Sequence, residues 1–254
     1  MSKILVIPDT QVKQNVPLDH LRWAGNYAVK KKPDTVVMIG DFCDMESLSM
    51  YDVGKKSFEG RRYKADIETA HKAMGLLMSP ILEEQARLRK NKEKLWTPRL
   101  VLTLGNHEDR INRAVESDPK LEGVLSIKDL GYEQFGWEVV PYLEPIVIDG
   151  IAFCHFFPSG VLGRPITTAR MLLTKKHMSC VAGHQQGRDI AYSSKADGTS
   201  MMGLIAGSFY QHDESYLSPQ TNRHWRGVYM LHEVVNGACD EMAVSMNFLK
   251  TRYA

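Results

Sequence analysis

The sequence predicts a mixed α/β sandwich. Three observations carry that reading. Short apolar runs alternate with segments of helical periodicity in the first half, strand-like runs follow one another across turn signals in the second half, and polar clusters stand at the ends of the apolar runs. Alternation followed by hairpins is the pattern of sheets packed on each other with helices against them.

The elements follow in order. Lys3 to Pro8 is a short β-rich apolar run, read as a buried strand. Leu18 to Lys31 carries apolar residues at 18, 21, 24, 28 and 29, close to helical spacing. Thr35 to Ile39 is a second buried strand, and residues 44–62, without clear periodicity, read as loop. Lys64 to Lys94 reads as helix interrupted near Ser79-Pro80, because proline removes a backbone donor and crowds the preceding turn. Leu100 to Leu104 is a third strand, followed by a helix from about Glu108 to Glu116. Further strands are expected at Trp137 to Val140, Ile146 to Ile148 and Ile151 to Cys154, with Asp149-Gly150 as a hairpin dipeptide. A helix at Thr167 to Lys176 precedes strands at Cys180 to Ala182, Ile190 to Tyr192, Gly203 to Ala206, Gly227 to His232 and Met242 to Met246. No linker rich in Gly, Ser or Pro divides the chain, so residues 1–254 are expected as one domain.

Composition narrows the function classes. A length of 254 residues allows a substantial core without disulfides or structural metals. The net charge of +2 gives no whole-molecule field that would point to nucleic acid or an acidic membrane. Cys43, Cys154, Cys180 and Cys239 are widely spaced, which argues against a zinc ribbon or a disulfide framework and suits a reducing cytoplasm. The apolar run at the start stops at Pro8-Asp9, too short for a signal peptide or a membrane span, and no later stretch reaches spanning length. The expectation is a cytoplasmic protein without a membrane partner.

The chemistry-bearing residues sit at predicted strand ends: Asp9-Thr10-Gln11, Gly40-Asp41-Phe42-Cys43-Asp44, Gly105-Asn106-His107-Glu108, His155, and Gly183-His184-Gln185-Gln186. In open α/β sheets ligands bind beyond the carboxyl ends of strands, so clusters far apart in sequence can meet there. Aspartate oxygens, an asparagine carbonyl and neutral histidine nitrogens make a mixed donor set for Mn, Fe, Zn or similar ions. Taken singly the motifs are weak. Asp9 reads as a turn or capping residue, Gly40-Asp41 as a common strand exit, and His155, between Cys154 and Phe156, as a hydrogen-bonded core histidine. The argument rests on all of them occurring in this order.

That order resembles the calcineurin-like metallophosphoesterases, whose pattern reads DxH, GDxxD, GNHE/D, H and GHxH; the likeness spans residues 9 to 186. The resemblance implies a four-layer α/β/β/α sandwich with two mixed β-sheets, and a two-metal site. It implies that Asp41 bridges both ions, that Asn106, His155 and His184 complete one site (B), and that Asp9 with Gln11 and Gln186 completes the other (A). Two family histidines are replaced here, by Gln11 and Gln186, and both changes fall on site A. Amide oxygens shift preference toward harder ions, so one or two divalent ions are expected, Mn first, with Mg, Fe, Ni and Zn as alternatives. The reaction implied is hydrolysis of a phosphate ester by hydroxide activated at the ions. His107 would protonate or stabilise the leaving group, and Asp44 resembles the family carboxylate that orients that histidine. Glu108 is expected to cap the following helix or pair with Arg110 or Arg113.

Substrate identity is less legible. Met45-Glu46 stands where the family's protein phosphatases carry Arg-Gly, which argues against that class. Arg61-Arg62-Tyr63-Lys64 lies after the second motif, where it could contact phosphate, while the run from Arg87 to Lys94 reads as a solvated helix face. Arg164, Arg188, Arg223, His224 and Arg226 are candidates to line the cleft, and Tyr210 and Trp225 are read as core or rim rather than base-stacking residues. The preferred substrate is a phosphodiester of a nucleotide or nucleic acid. The rival is a metal-poor binding or scaffold protein, which Gln11 and Gln186 favour and the remaining ligands oppose.

Overall fold

The first strand shows how the layers form. In β1 (Ser2–Ile7), Ile4 and Val6 point to one side and Leu5 and Ile7 to the other, and all four are buried. A strand covered on both faces must be apolar throughout, which is why Lys3 to Ile7 reads as a continuous run. The same holds for β2 (Thr35–Met38), buried at every position. The structure is a computed structural model and describes residues 1–214 and 217–254.

Elements succeed one another as α1 (Asp19–Lys31), α2 (Tyr63–Lys90), β3 (Arg99–Thr103), α3 (Arg110–Ser117), β4 (Glu138–Val140), β5 (Ile146–Ile148), β6 (Ile151–Cys154), β7 (Pro158–Ser159), β8 (Arg164–Pro165), α4 (Ala169–Lys176), β9 (Ser179–Ala182), β10 (Arg188–Ser194), β11 (Ser200–Ala206), β12 (Gly227–Val235), β13 (Ala238–Ser245) and α5 (Met246–Tyr253), with β1 and β2 as above. One large sheet runs β13-β12-β1-β2-β3-β4 and the other β10-β11-β9-β6-β5, while β7 and β8 pair as a separate two-stranded ribbon. In the first, β1 to β4 are parallel and β12 and β13 antiparallel; in the second, β6, β9 and β11 are parallel while β5 and β10 are antiparallel. Both sheets are therefore mixed.

Three apolar clusters sort the layers. Leu5, Val36, Met38 and Leu102 pack under α1 and α2, with Leu21, Tyr27, Met74 and Leu77. Ile4, Val37, Val101, Phe153, Val181 and Leu204 fill the space between the two sheets. Ala152, Cys180 and Ile205 pack with Ala169 and Leu172 of α4 on the outer face of the second sheet. Alternation along single strands thus feeds two cores at once, and the order of layers is helix, sheet, sheet, helix.

Several expectations are corrected. The long helix does not break at Ser79-Pro80. The carbonyl of Leu76, deprived of a donor by Pro80, faces Ser79 Oγ at 3.4 Å, and the buried proline ring packs against α1 beside Gly25. Burial of the Ala70–Ala73–Leu77–Ile81 face carries the helix through, though it stops at Lys90 rather than Lys94. Met246 does not extend the last strand; it opens α5, whose start is capped by Ser245 Oγ accepting from Phe248 N–H. Residues 44–62 contain short 3₁₀ turns at Glu46–Leu48 and Lys56–Phe58. Asp149 and Gly150 do form the turn joining β5 to β6, both with positive φ, at 48° and 86°. Among the described residues no helix is long and apolar enough to cross a membrane.

Phe153 is fully buried between the sheets. Phe153→Ala is expected to lower unfolding stability by about 3–5 kcal/mol in urea denaturation, whereas Val161→Ala, on an exposed turn, is expected to change it by less than about 0.5 kcal/mol.

Candidate metal centre

Each motif leaves the carboxyl end of a parallel strand. Asp9 and Gln11 follow β1, Asp41 and Asp44 follow β2, Asn106 to Glu108 follow β3, His155 follows β6, and His184 and Gln186 follow β9. Both sheets contribute, and Gly183 N–H bonds the carbonyl of His155 at 2.9 Å to hold the second pair of ends together. Gln11, Asp41 and His184 adopt positive φ angles of 40°, 48° and 65°. Such conformations cost a non-glycine residue of order 1–3 kcal/mol and collect at functional sites. The motif glycines serve close approach: a side chain on Gly105 would overlap Asp41 Oδ1, and one on Gly183 would overlap Asp9 Oδ1.

Ligand atoms of buried Asp41 and His155 and of half-buried His184 lie within 4.8 Å of one another, close enough to hold a metal ion. His155 Nδ1 is 3.0 Å from the carbonyl of Ile39, which can only accept, so that nitrogen carries a proton and Nε2 faces inward. There Nε2 lies 3.3 Å from Asp41 Oδ2 and 3.0 Å from Asn106 Oδ1, and His184 Nδ1 lies 2.8 Å from the same amide oxygen. His184 Nδ1 donates to that oxygen in one tautomer and faces it with a lone pair in the other. Turning the Asn106 amide would supply donors to both rings but leave Asp41 against the His155 lone pair. A carboxylate, an amide oxygen and two imidazole nitrogens converging at these distances fit a divalent ion, and mixed oxygen and imidazole donors leave its identity open.

The electrostatics tell the same story. Burial pushes the Asp9 carboxyl up to about 8, Asp41 adds to the rise, and His155 opposes it. Burial would also raise Asp41, but His107 and His155 hold it well below the ordinary carboxylate range. For His155 burial favours the neutral ring, yet Asp41 and Asp9 raise it to about 10. His184, lowered to about 4 by burial and by His155, stays neutral. Both oxygens of Asp9 face the His184 N–H, at 3.2 and 3.1 Å.

Beside this cluster His107 N–H donates to Asp41 Oδ1 at 2.9 Å, and the ring places Nδ1 2.8 Å from Asp44 Oδ1, close in distance but poorly aligned for a hydrogen bond. Burial would lower the proton affinity of His107; Asp41 and Asp44 overcome it, against opposition from Arg110. Asp44 also meets Lys13 Nζ at 3.3 Å and Arg110 at 3.1 Å. Lys13 in turn pairs with Glu214 at 2.7 Å, and neither residue was singled out in the sequence, since an isolated Lys-Gln and a distant Asp-Glu give no motif.

Glu108 corrects the sequence reading. It neither caps α3 nor pairs with an arginine. Its buried carboxylate accepts from Asp41 N–H at 3.0 Å, Gly105 N–H at 2.8 Å and Cys43 N–H at 3.1 Å, with Tyr132 OH at 3.3 Å. Arg110 pairs with Asp44 instead, and Arg113 with Asp109 and the carbonyl of Asn106.

A cleft of about 680 Å³ opens over the cluster and brings together Gln11, Asp41, Asp44, Asn106, His107, His184 and Gln186. Asp9 and His155 lie beneath it, fully buried. The Gln186 amide oxygen accepts from Tyr210 OH at 2.8 Å, so Tyr210 is a buried support rather than a stacking face. Of the first basic run only Arg61 reaches the cleft, already paired with Asp52 at 2.8 Å. Arg164, Arg188, Arg223, His224 and Arg226 do not line it: Arg188 stacks on Trp225 and Arg226 on Tyr210, with ring distances of 4.8 and 4.5 Å. Arg87, as expected of a solvated helix face, pairs locally with Glu84 and Glu93. No family model matches the chain, and no curated protein matches it.

Two outcomes are expected. A cation entering the cluster must displace protons from His155 (about 10) and Asp9 (about 8), so binding strengthens as pH rises. Titration calorimetry of Mn²⁺ should show proton release and an apparent Kd falling by about tenfold or more per unit between pH 6 and 8; pH-independent binding would contradict the assignment. Glu108→Ala strands three buried N–H groups, each worth about 1–3 kcal/mol, and should lower both thermal stability and metal affinity.

Proposed function

We propose that the chain is a divalent-metal-dependent phosphoesterase of the calcineurin-like superfamily, hydrolysing a phosphate ester, with a nucleotide or nucleic-acid phosphodiester as the preferred class. The observation that carries this reading is the convergence of Asp41, Asn106, His155 and His184 beside a histidine that faces a carboxylate. The layer order of the fold and the motif order of the sequence support it.

Asn106, His155, His184 and Asp41 would hold the first ion; Asp9, Asp41, Gln11 and Gln186 would hold a second, with Mn the favoured species. The bound ions supply an acidified water and neutralise phosphate charge. The residues do the rest. Asp41, fixed by the His107 N–H on Oδ1, is held ionised by His107 and His155 and orients the cluster. His107 carries the proton for the leaving oxygen. As the bond from water oxygen to phosphorus forms, the ester P–O bond breaks, its electron pair passes to the leaving oxygen, and that oxygen takes the proton from His107. The proton lost by water goes to solvent. Asp44 keeps the imidazole oriented and favours its charged form.

A second reading, a metal-poor scaffold, is favoured by Gln11 and Gln186 and by the engagement of the Gln186 oxygen with Tyr210. Assays with bis-p-nitrophenyl phosphate and p-nitrophenyl phosphate in Mn, Mg, Ni and Zn separate the two: turnover supports the enzyme, and neither metal binding nor turnover in any ion supports the scaffold. Asp41→Ala and His155→Ala should lose metal and activity together. His107→Ala should keep its metal and lose about 10²–10⁴-fold in turnover; wild-type turnover in that variant would refute the role given to His107.

A further inference from the structure

A second cavity, of about 410 Å³, adjoins the metal cleft and shares Ser49, Tyr51 and Arg110 with it. One wall is α3, the helix that follows His107 directly. It contributes Arg110, Arg113, Ala114 and Ser117, which is the i, i+3, i+4, i+7 face. The rest of the lining is mainly apolar and aromatic, with Leu48, Tyr51 and Phe58. Met50 and Tyr51 at its mouth are 78% and 82% exposed, apolar surface that nothing in the chain covers among the described residues.

We infer that this cavity receives the leaving group of the substrate and that this group carries a flat aromatic ring. The inference rests on the reading of His107 as the proton donor. The leaving oxygen must come within about 2.6–3.2 Å of that ring to take its proton. Arg110 stands at the same ring, with one guanidinium nitrogen 3.2 Å from His107 Nε2, and it lines both the cleft and the cavity. A group on the leaving oxygen that passes Arg110 enters this cavity and meets the α3 face. The cations there are already neutralised: Arg110 by Asp44 at 3.1 Å and Arg113 by Asp109 at 3.3 Å. With both guanidiniums paired and Glu116 also in the lining, the wall is poorly matched to a further phosphate. Concave, mainly apolar walls with a few fixed polar groups are how proteins bind flat organic ligands, and Tyr51 and Phe58 supply aromatic faces for one.

The test compares phenyl and naphthyl phosphodiesters, whose leaving groups have similar acidity. Wild-type protein in Mn²⁺ should prefer the naphthyl ester in kcat/KM by about tenfold or more, from the extra apolar surface buried. Ala114→Phe, which fills the cavity from α3, should erase that preference. Tyr51→Ala, in an exposed loop where folding is not at stake, should reduce it. A separate arm uses metal-free protein in EDTA and titrates naphthol by calorimetry; saturable binding lost in Ala114→Phe is expected. Thymidine displacing naphthol would place a nucleoside in the cavity, and naphthol that thymidine cannot displace would place a non-nucleotide aryl group there. Failure of naphthol to bind, or a naphthyl preference that survives both substitutions, overturns the inference. If no ester is hydrolysed in any metal, the phosphoesterase reading falls and the naphthol arm alone decides the cavity.

Discussion

The candidate centre depends on one buried carboxylate to which the motif assigns no ligand role. Glu108 gathers the N–H groups of Asp41, Cys43 and Gly105 onto its two oxygens and so clamps the loop after β2 to the loop after β3. Asp41 is thereby kept in its left-handed conformation with Oδ1 on the His107 N–H and Oδ2 toward His155. Three backbone donors inside a protein must find acceptors, and a charged acceptor makes bonds roughly twice as strong as a neutral one. The clamp places a negative charge near Asp41 as well, which raises the pKa of Glu108 on top of the effect of burial. The cluster is thus crowded with negative charge before any cation enters.

That crowding explains the opposed shifts in the site. Asp9 and Asp41 are both buried, and only Asp41 has two histidines close enough to keep it ionised. His155 gains proton affinity from the same carboxylates that would surround a cation. A proton on His155 and a divalent ion at the cluster are alternative solutions to one electrostatic problem. The second also draws on the Asn106 oxygen and the His184 ring nitrogen that face the same point.

Much of this was legible in the sequence. Strands buried on both faces announce themselves as unbroken apolar runs, as Thr35 to Met38 does, and glycines beside Asp41, Asn106 and His184 mark where backbone and carboxylate approach too closely for a side chain. The motif residues are consequently the ones that the strand ends bring together. What the sequence hid depends on long-range partners. Pro80 sits inside a helix because tertiary burial and Ser79 compensate for the missing donor, which no local pattern reports. Glu108 looks like a helix-start acid because its true donors lie far away in the chain at Asp41 and Cys43. Lys13 and Glu214 meet across most of the chain, and the second-half arginines turn to Trp225 and Tyr210 rather than to the cleft.

The most direct measurement is anomalous diffraction from crystals grown with Mn²⁺. The account predicts a peak within coordination distance, about 2.0–2.4 Å, of Asp41, Asn106, His155 and His184. Density for an ordered protein with no peak at that cluster, at a concentration that fills adventitious surface sites, would contradict it.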